Sequence, residues 1–343
     1  MSQINMEGTD LFLPNSANLI LEKRGSTSLP LIKQEGRSLH ILSKEHNQAS
    51  TLRVGAFHPY LCYEAKFGNL KGNSIAGIEF YPNNNTGAIV RTTVQNGKIA
   101  SYIITDKAPQ LLAEKETPPS EEIDLRIQYT GVRFHVFRIY KNGNTELLYS
   151  VKHDMRSIES CTTHSFGIYA SPSKDNKIIL WKAQSLLTCG TGQADPQIVQ
   201  TTDGKPLIRD GRLYICFTTR GFERIFDSYQ GMYSIDLDSY ELRLEGALFF
   251  GKGDGIMYGF HATKVVYNPD TKEYYIMTTT HEDTHTLAFC STQADILHGM
   301  HFLECTELDF PHNYTRYHAY NTEDPDFFYD SEAKKWRLAY CAL

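Results

Sequence analysis

The chain has 343 residues, 41% of them hydrophobic and 12% aromatic, with a formal net charge of −6; that length supports about two domains with sizeable cores. The acidic balance and the lack of any Lys/Arg run argue against nucleic acid and anionic membranes as partners. No apolar stretch approaches the roughly 18 residues of a membrane helix, and Met1-Ser2-Gln3-Ile4-Asn5-Met6-Glu7 lacks the basic-then-apolar order of a secretion signal. The seven cysteines contain no C-x-x-C pair and read as reduced core thiols, which leans towards a cytoplasmic setting without fixing one. Asn84-Asn85-Thr86 and Asn313-Tyr314-Thr315 match glycosylation sequons, a pattern common by chance.

From residue 10 to 187 the chain reads as strands and turns. Strands are expected at 60–67, 74–81, 88–94, 101–106, 123–129, 133–140, 146–151, 165–170 and 177–183. Pro82-Asn83-Asn84-Asn85, Asn96-Gly97, Thr130-Gly131 and Asn142-Gly143 supply the turns between them. Ile123-Asp124-Leu125-Arg126-Ile127-Gln128-Tyr129 alternates apolar and polar side chains, as a sheet with one face on a core requires. Many strands without a helical pattern imply a sandwich. Leu125-Arg126-Ile127, Phe134-His135-Val136-Phe137 and Phe166-Gly167-Ile168-Tyr169-Ala170 resemble the closing strands of the concanavalin-like lectin/glucanase jelly roll, over about 130 residues. That resemblance implies a concave face on which Tyr63, Phe80, Tyr81 and Tyr102 could stack against sugar rings; core and edge packing is the favoured alternative. A glucanase would need a close Glu pair such as E-x-D-x-x-E, which this half lacks, so it is expected to be an accessory domain.

Gly190-Thr191-Gly192-Gln193 reads as a linker, and a repeat of roughly 60 to 70 residues follows over 194–343. Its first copy opens Asp195-Pro196-Gln197-Ile198-Val199 and continues with strands at 212–219, 232–235 and 242–250. The second opens Ala262-Thr263-Lys264-Val265-Val266-Tyr267-Asn268, without the Asp, and has strands at 263–267, 274–280, 286–291 and 302–307. The third opens Asp324-Pro325-Asp326-Phe327-Phe328 and reaches Trp336-Arg337-Leu338-Ala339-Tyr340. Four strands per copy suggest propeller blades around a polar centre. Asp-Pro taken singly is a common strand-entry dipeptide, because Asp accepts local backbone hydrogen bonds and Pro fixes φ.

The two Asp-Pro heads resemble those of glycoside hydrolase family 43, a five-bladed β-propeller group of arabinanases, arabinofuranosidases and xylosidases. The resemblance covers about 150 residues and implies that Asp195 is the general base and Asp324 the carboxylate that tunes and orients the acid. The chain departs from the family where Trp-Ala-Pro would open the second blade, having His261-Ala262-Thr263, and where Ile would precede the second Asp, having Glu323. Inverting hydrolysis needs a base that activates water and an acid that protonates the leaving oxygen, roughly 6.5–9.5 Å apart, and a third carboxylate can raise the acid's pKa. The family's acid is the Glu of Glu-Gly-Pro, expected about 60 residues beyond Asp324 by the repeat. No Glu-Gly-Pro occurs before Leu343, so the acid is expected beyond the chain, or the chain is an incomplete relative.

Loops between second and third strands should lie beside the heads, which adds Arg220, Phe222, Glu223, His281 and Glu282 as funnel candidates, solvated loops being the alternative. His281-Glu282-Asp283-Thr284-His285 matches the H-E-x-x-H zinc motif, yet that motif works only on a helix, and strand-like residues flank it here. No metal site is therefore assigned. Family members sometimes hold a structural cation, calcium, on the axis; His261 is its nearest candidate here, with a satisfied interior histidine the favoured reading. The expectation is an all-β chain: a concanavalin-like β-sandwich, then a partial five-bladed β-propeller that acts on carbohydrate without a cofactor. The alternative is a carbohydrate-binding protein without catalysis, using the sandwich and a degenerate propeller.

Overall fold

A computed structural model describes residues 21–23, 28–46, 48–84, 86–187, 190–222, 227–280, 285–309 and 321–342. The chain is all-β, with one short helix, Ile158–Thr163, among the described residues. It divides into two compact units, one of Glu7–Met155 with Glu159–Leu187 and the other of Thr188–Leu343 with Arg156–Ile158.

The first unit is a β-sandwich of two antiparallel sheets, each of seven strands among the described residues. One runs Leu21–Lys23, Ser50–Ala56, His164–Ser171, Ile75–Pro82, Ile89–Gln95, Lys98–Ile104, Gln110–Glu116. The other runs Thr145–Lys152, Arg133–Ile139, Ile123–Tyr129, Cys62–Gly68, Lys177–Leu186, Ser38–Leu42, Leu31–Glu35. Period-two alternation fixes which side chains enter the core: Ile123, Leu125, Ile127 and Tyr129 are buried from one strand. They meet an aromatic cluster in which the Phe80 ring lies 4.8 Å from Tyr63, 5.3 Å from Phe57 and 5.1 Å from Tyr129. Each such ring removes about 150–250 Å² of surface from water, so this cluster dominates the sandwich core.

The same packing decides the sugar-stacking expectation. Tyr63, Phe80 and Tyr81 are each at most 1% exposed, and only Tyr102 of the four keeps an accessible edge. Three of the four aromatics are thus core residues. The central strand Cys62–Gly68 is buried on both faces: opposite Tyr63 it carries Glu64, whose carboxylate is held by Arg126, Lys182 and Gln184. A buried carboxylate needs such partners, because burying a charge unpaired costs several kcal/mol, on the order of 3–5 when a partner is removed.

In the second unit three sheets follow one another along the chain, and they do not form a closed propeller. The first comprises Gly192–Ile198, Arg212–Arg220, Ser228–Asp236, Leu242–Gly251 and, in parallel with the last, Gly299–Glu304, with the short Ile208–Arg209 paired to Arg212–Arg220. The second comprises His261–Asn268, Glu273–Thr279, Leu287–Thr292 and Thr306–Glu307, with Gln200–Thr201 parallel to its first strand. The third is the hairpin Thr322–Asp330 with Lys335–Ala342. The opening strand of the second sheet packs against the opening strands of the other two. A core of Val199, Tyr214, Met232, Leu248, Phe250, Val265 and Ile276 joins the first two sheets. Phe327 of the third packs with Val266, Met277 and Leu287 of the second.

Candidate active site at the strand heads

The three opening strands carry one shared backbone device. Their pairing slips at Ala194/Gln197, at His261/Lys264 and at Glu323/Asp326, two residues against one on the partner strand each time. This is a β-bulge, which bends a strand and re-aims its side chains. The first bulged residue is left-handed in all three: Asp195 at φ 52°, Ala262 at 48° and Asp324 at 55°. Asp adopts that region more readily than most residues, because its short side chain bonds locally. The Asp-Pro dipeptide therefore marks a bulged head, and Ala262 occupies the same place without the carboxylate.

A second repeated contact ties consecutive heads together. The amide of Ala262 donates to Thr218 Oγ1 at 2.9 Å, and that of Asp324 donates to Thr279 Oγ1 at 3.1 Å. Thr218 and Thr279 are equivalent residues of the second strands of the first and second sheets, lying opposite Ala194 and His261. The second and third heads are thus each pinned by the preceding sheet, which brings the opening strands together.

The first and third heads carry charge. Arg220 reaches Asp195 at 3.7 Å, and His285 pairs with Glu323, the residue before Asp324. The His285 amide also donates to Asn321 Oδ1 at 3.0 Å, and its carbonyl accepts from the Thr322 amide at 3.0 Å. Arg220 ends the second strand of the first sheet, and His285 lies between the second and third strands of the second. Asp324 has its carboxyl pushed above the ordinary range, first by desolvation, then by the negative charges of Asp195 and Glu323; a hydrogen bond from the Cys341 thiol pulls the other way. Asp195 and Asp324 thus feel one another electrostatically.

The sign of that interaction gives a pH test. A carboxyl with a raised folded-state pKa binds its proton more tightly in the native chain, so stability falls as pH rises through that value. Asp324→Asn, which keeps a residue tolerant of positive φ, should melt higher than the parent at neutral pH. The difference should vanish as pH falls below the ordinary carboxylate range. Equal melting temperatures at neutral pH, measured by differential scanning calorimetry, would contradict the repulsion.

Of the other residues singled out by sequence, Phe222 is exposed two positions beyond Arg220. His261 is buried, its Nε2 2.5 Å from Ser228 Oγ, immediately before the second head. His281, Glu282 and Glu223 lie outside the described residues. Of the H-E-x-x-H run only His285 is described; strands end at Thr279 before it and begin at Leu287 after it. Among the described residues no cluster of three or more His, Cys, Asp or Glu side chains could hold a metal ion. Sequence reasoning missed the Glu323–His285 pair, the two threonines and Cys341. The threonines could have been found by aligning the second strands, where Thr218-Thr219 and Thr279-Thr280 recur in register with the heads.

No protein-family model and no curated protein matches the chain. Among solved structures, the carbohydrate-binding module CBM66 from Bacillus subtilis is 13% identical, covering 49% of this chain and 97% of its own, with a TM-score of 0.37. A Bacillus subtilis protein of unknown function with a galectin-like fold is 8% identical over 55% of this chain and 99% of its own, with a TM-score of 0.42. The laminarinase from Rhodothermus marinus is 10% identical over 55% and 98%, with a TM-score of 0.39. Each likeness spans about half of the chain.

Proposed function

We propose that the strand heads form a carbohydrate site and that the complete protein is an inverting glycoside hydrolase, with Asp195 as base and Asp324 as the carboxylate that tunes the acid. The observation that carries this reading is the placing of Asp195 and Asp324 on matching bulges of packed opening strands, where desolvation and then Asp195's charge raise the pKa of Asp324. In this reading the second unit is the opening part of a five-bladed propeller, the sandwich is an accessory domain, and the general acid stands at the head of a further repeat. Arg220 orients Asp195 and bonds sugar hydroxyls, a role suited to a planar donor fork.

The base can be tested apart from the acid. A glycoside with a dinitrophenyl leaving group departs without protonation, so its hydrolysis needs only an activated water. The expected outcome is cleavage of such a glycoside by this chain, with the inverted anomer seen first by proton NMR. A retained anomer, or no cleavage across pentose and hexose glycosides, would overturn the catalytic reading. Phe222 favours the second reading, carbohydrate binding without hydrolysis, since it is an exposed ring two residues from the Arg220–Asp195 pair and can stack on a sugar. Saturable binding of oligosaccharides with no cleavage would select it.

A further inference from the structure

Two of the cysteines share an environment that the site does not use. Cys290 lies in Leu287–Thr292, and Cys305 is the residue between Gly299–Glu304 and Thr306–Glu307. The pairing Ala288↔Glu307 and Phe289↔Thr306 continues to place Cys290 opposite Cys305. The Leu308 amide donates to the Leu287 carbonyl at 2.8 Å, which makes 287/308 a hydrogen-bonded pair. Such pairs alternate along an antiparallel ladder, so 290/305 falls on a non-hydrogen-bonded position, where opposed Cα atoms lie about 4.5 Å apart. In keeping with this, the Cys305 amide turns away and donates to the Gly251 carbonyl of the first sheet at 2.8 Å. A disulfide spans Cα separations of about 4.4–6.8 Å, so this position accepts one without backbone movement.

We propose that Cys290 and Cys305 are an oxidisable pair whose disulfide staples the outer strand of the second sheet to the segment leaving the first. Both cysteines are reduced here and both are buried; the Cys305 thiol donates to the Leu303 carbonyl at 3.8 Å. The neighbouring Cys290, and burial after it, hold the Cys305 thiol well above its ordinary range. Thiolate at Cys305 is therefore scarce in the folded chain, and exchange at that sulfur is slow. The pair oxidises as the chain folds, by two exchange steps with a low-molecular-weight disulfide such as oxidised glutathione. One thiolate attacks that disulfide and releases a glutathione thiol, leaving a mixed disulfide. The second thiolate then displaces the other glutathione, so two protein thiols are oxidised and one small disulfide is reduced to two thiols. The ring so closed holds the fully buried Ile296 and Leu297, and Cys305 is where the chain passes from one sheet to the next.

The test refolds the reduced full-length chain in a glutathione redox buffer, alkylates free thiols and maps peptides without reduction. The expected product is a Cys290–Cys305 linked peptide lighter by two hydrogens, with Cys62 and Cys216 alkylated after denaturation. The oxidised protein should melt about 5–10 °C above the reduced one, the size expected of a ring of roughly 15 residues. Reductant should reverse the shift, and neither C290S nor C305S should gain it. A linked peptide joining either residue to another cysteine, or quantitative alkylation of both after refolding, overturns the proposal whether or not the serine variants fold.

Discussion

Asp195→Asn should lower turnover of an activated glycoside by about 10²- to 10⁴-fold, the contribution typical of a positioned general base, while changing sugar affinity by less than about threefold. The variant removes the group that takes a proton from water and keeps the side chain's shape. It also keeps the fold, because Asn tolerates the left-handed conformation that Asp195 adopts at φ 52°. Asp195→Val is the contrasting change. A β-branched residue there adds strain of about 1–2 kcal/mol, so loss of turnover in that variant would mix folding with chemistry. The Arg220 contact, at 3.7 Å and open to solvent, is worth little to stability, so its loss does not confuse the comparison. Turnover in Asp195→Asn within a factor of three of the parent would remove Asp195 from the mechanism, whatever happens to binding.

Strands whose burial alternates were legible in the sequence, and several strands exposed or buried along most of their length were not. Ile123–Tyr129 was readable to the residue because its apolar side chains alternate. Leu31–Glu35 and Gln110–Glu116 are largely exposed, so burial leaves no pattern in either. They belong to the sheets through backbone hydrogen bonds, which any residue but Pro can make. Ser38–Leu42 and Ser50–Ala56 were missed for the opposite reason: they are buried on both faces over much of their length, and continuous burial erases the period of two. The sandwich aromatics show the limit of composition as a guide to function. Tyr63 and Tyr81 have the chemistry of a sugar platform, and their place on the pleat puts them out of reach of solvent.

At the site, the repeat was legible because a bulged head needs particular residues. Asp and Pro recur at the first and third heads as positive φ and a fixed following φ demand, and the second head uses Ala262 at φ 48°. What the repeat could not reveal is the partner of each head. Glu323 looks like a departure from the family's pattern until His285, 38 residues earlier, is found beside it. Neither residue has a local signature; the contact exists because the connection after Glu273–Thr279 and the third head meet through Asn321 and Thr322. Such pairings depend on how one sheet follows the next, which spacing alone does not encode.

The largest stability loss should come from Gly259→Ala, a residue remote from any carboxylate in sequence logic. A Cβ at Gly259 would stand 1.5 Å from the Ser228 carbonyl oxygen and 2.5 Å from its carbon, backbone atoms of the third strand of the first sheet. No rotamer relieves a clash with backbone, so the segment before the second head must move. That segment is fastened along its length. Gln230 Nε2 donates to the Phe260 carbonyl at 2.6 Å, His261 meets Ser228, and Ala262 is held by Thr218. The Phe260 ring packs against Phe250 and Tyr258 at 5.5 and 5.1 Å. Overpacking that displaces such a segment costs about 3–5 kcal/mol, at the upper end for a single substitution, and lowers the melting temperature by roughly 10 °C. Gly253→Ala is the control. Gly253 has positive φ, 81°, and nothing lies within 4 Å of its added Cβ, so it should lose only about 1–2 kcal/mol of backbone strain. Because the second opening strand packs between those bearing Asp195 and Asp324, Gly259→Ala should also uncouple their carboxylates, and the pH-dependent gain from Asp324→Asn should shrink in that background. A melting temperature within 2 °C of the parent would show that this backbone approach is not what sets the second head against the first sheet.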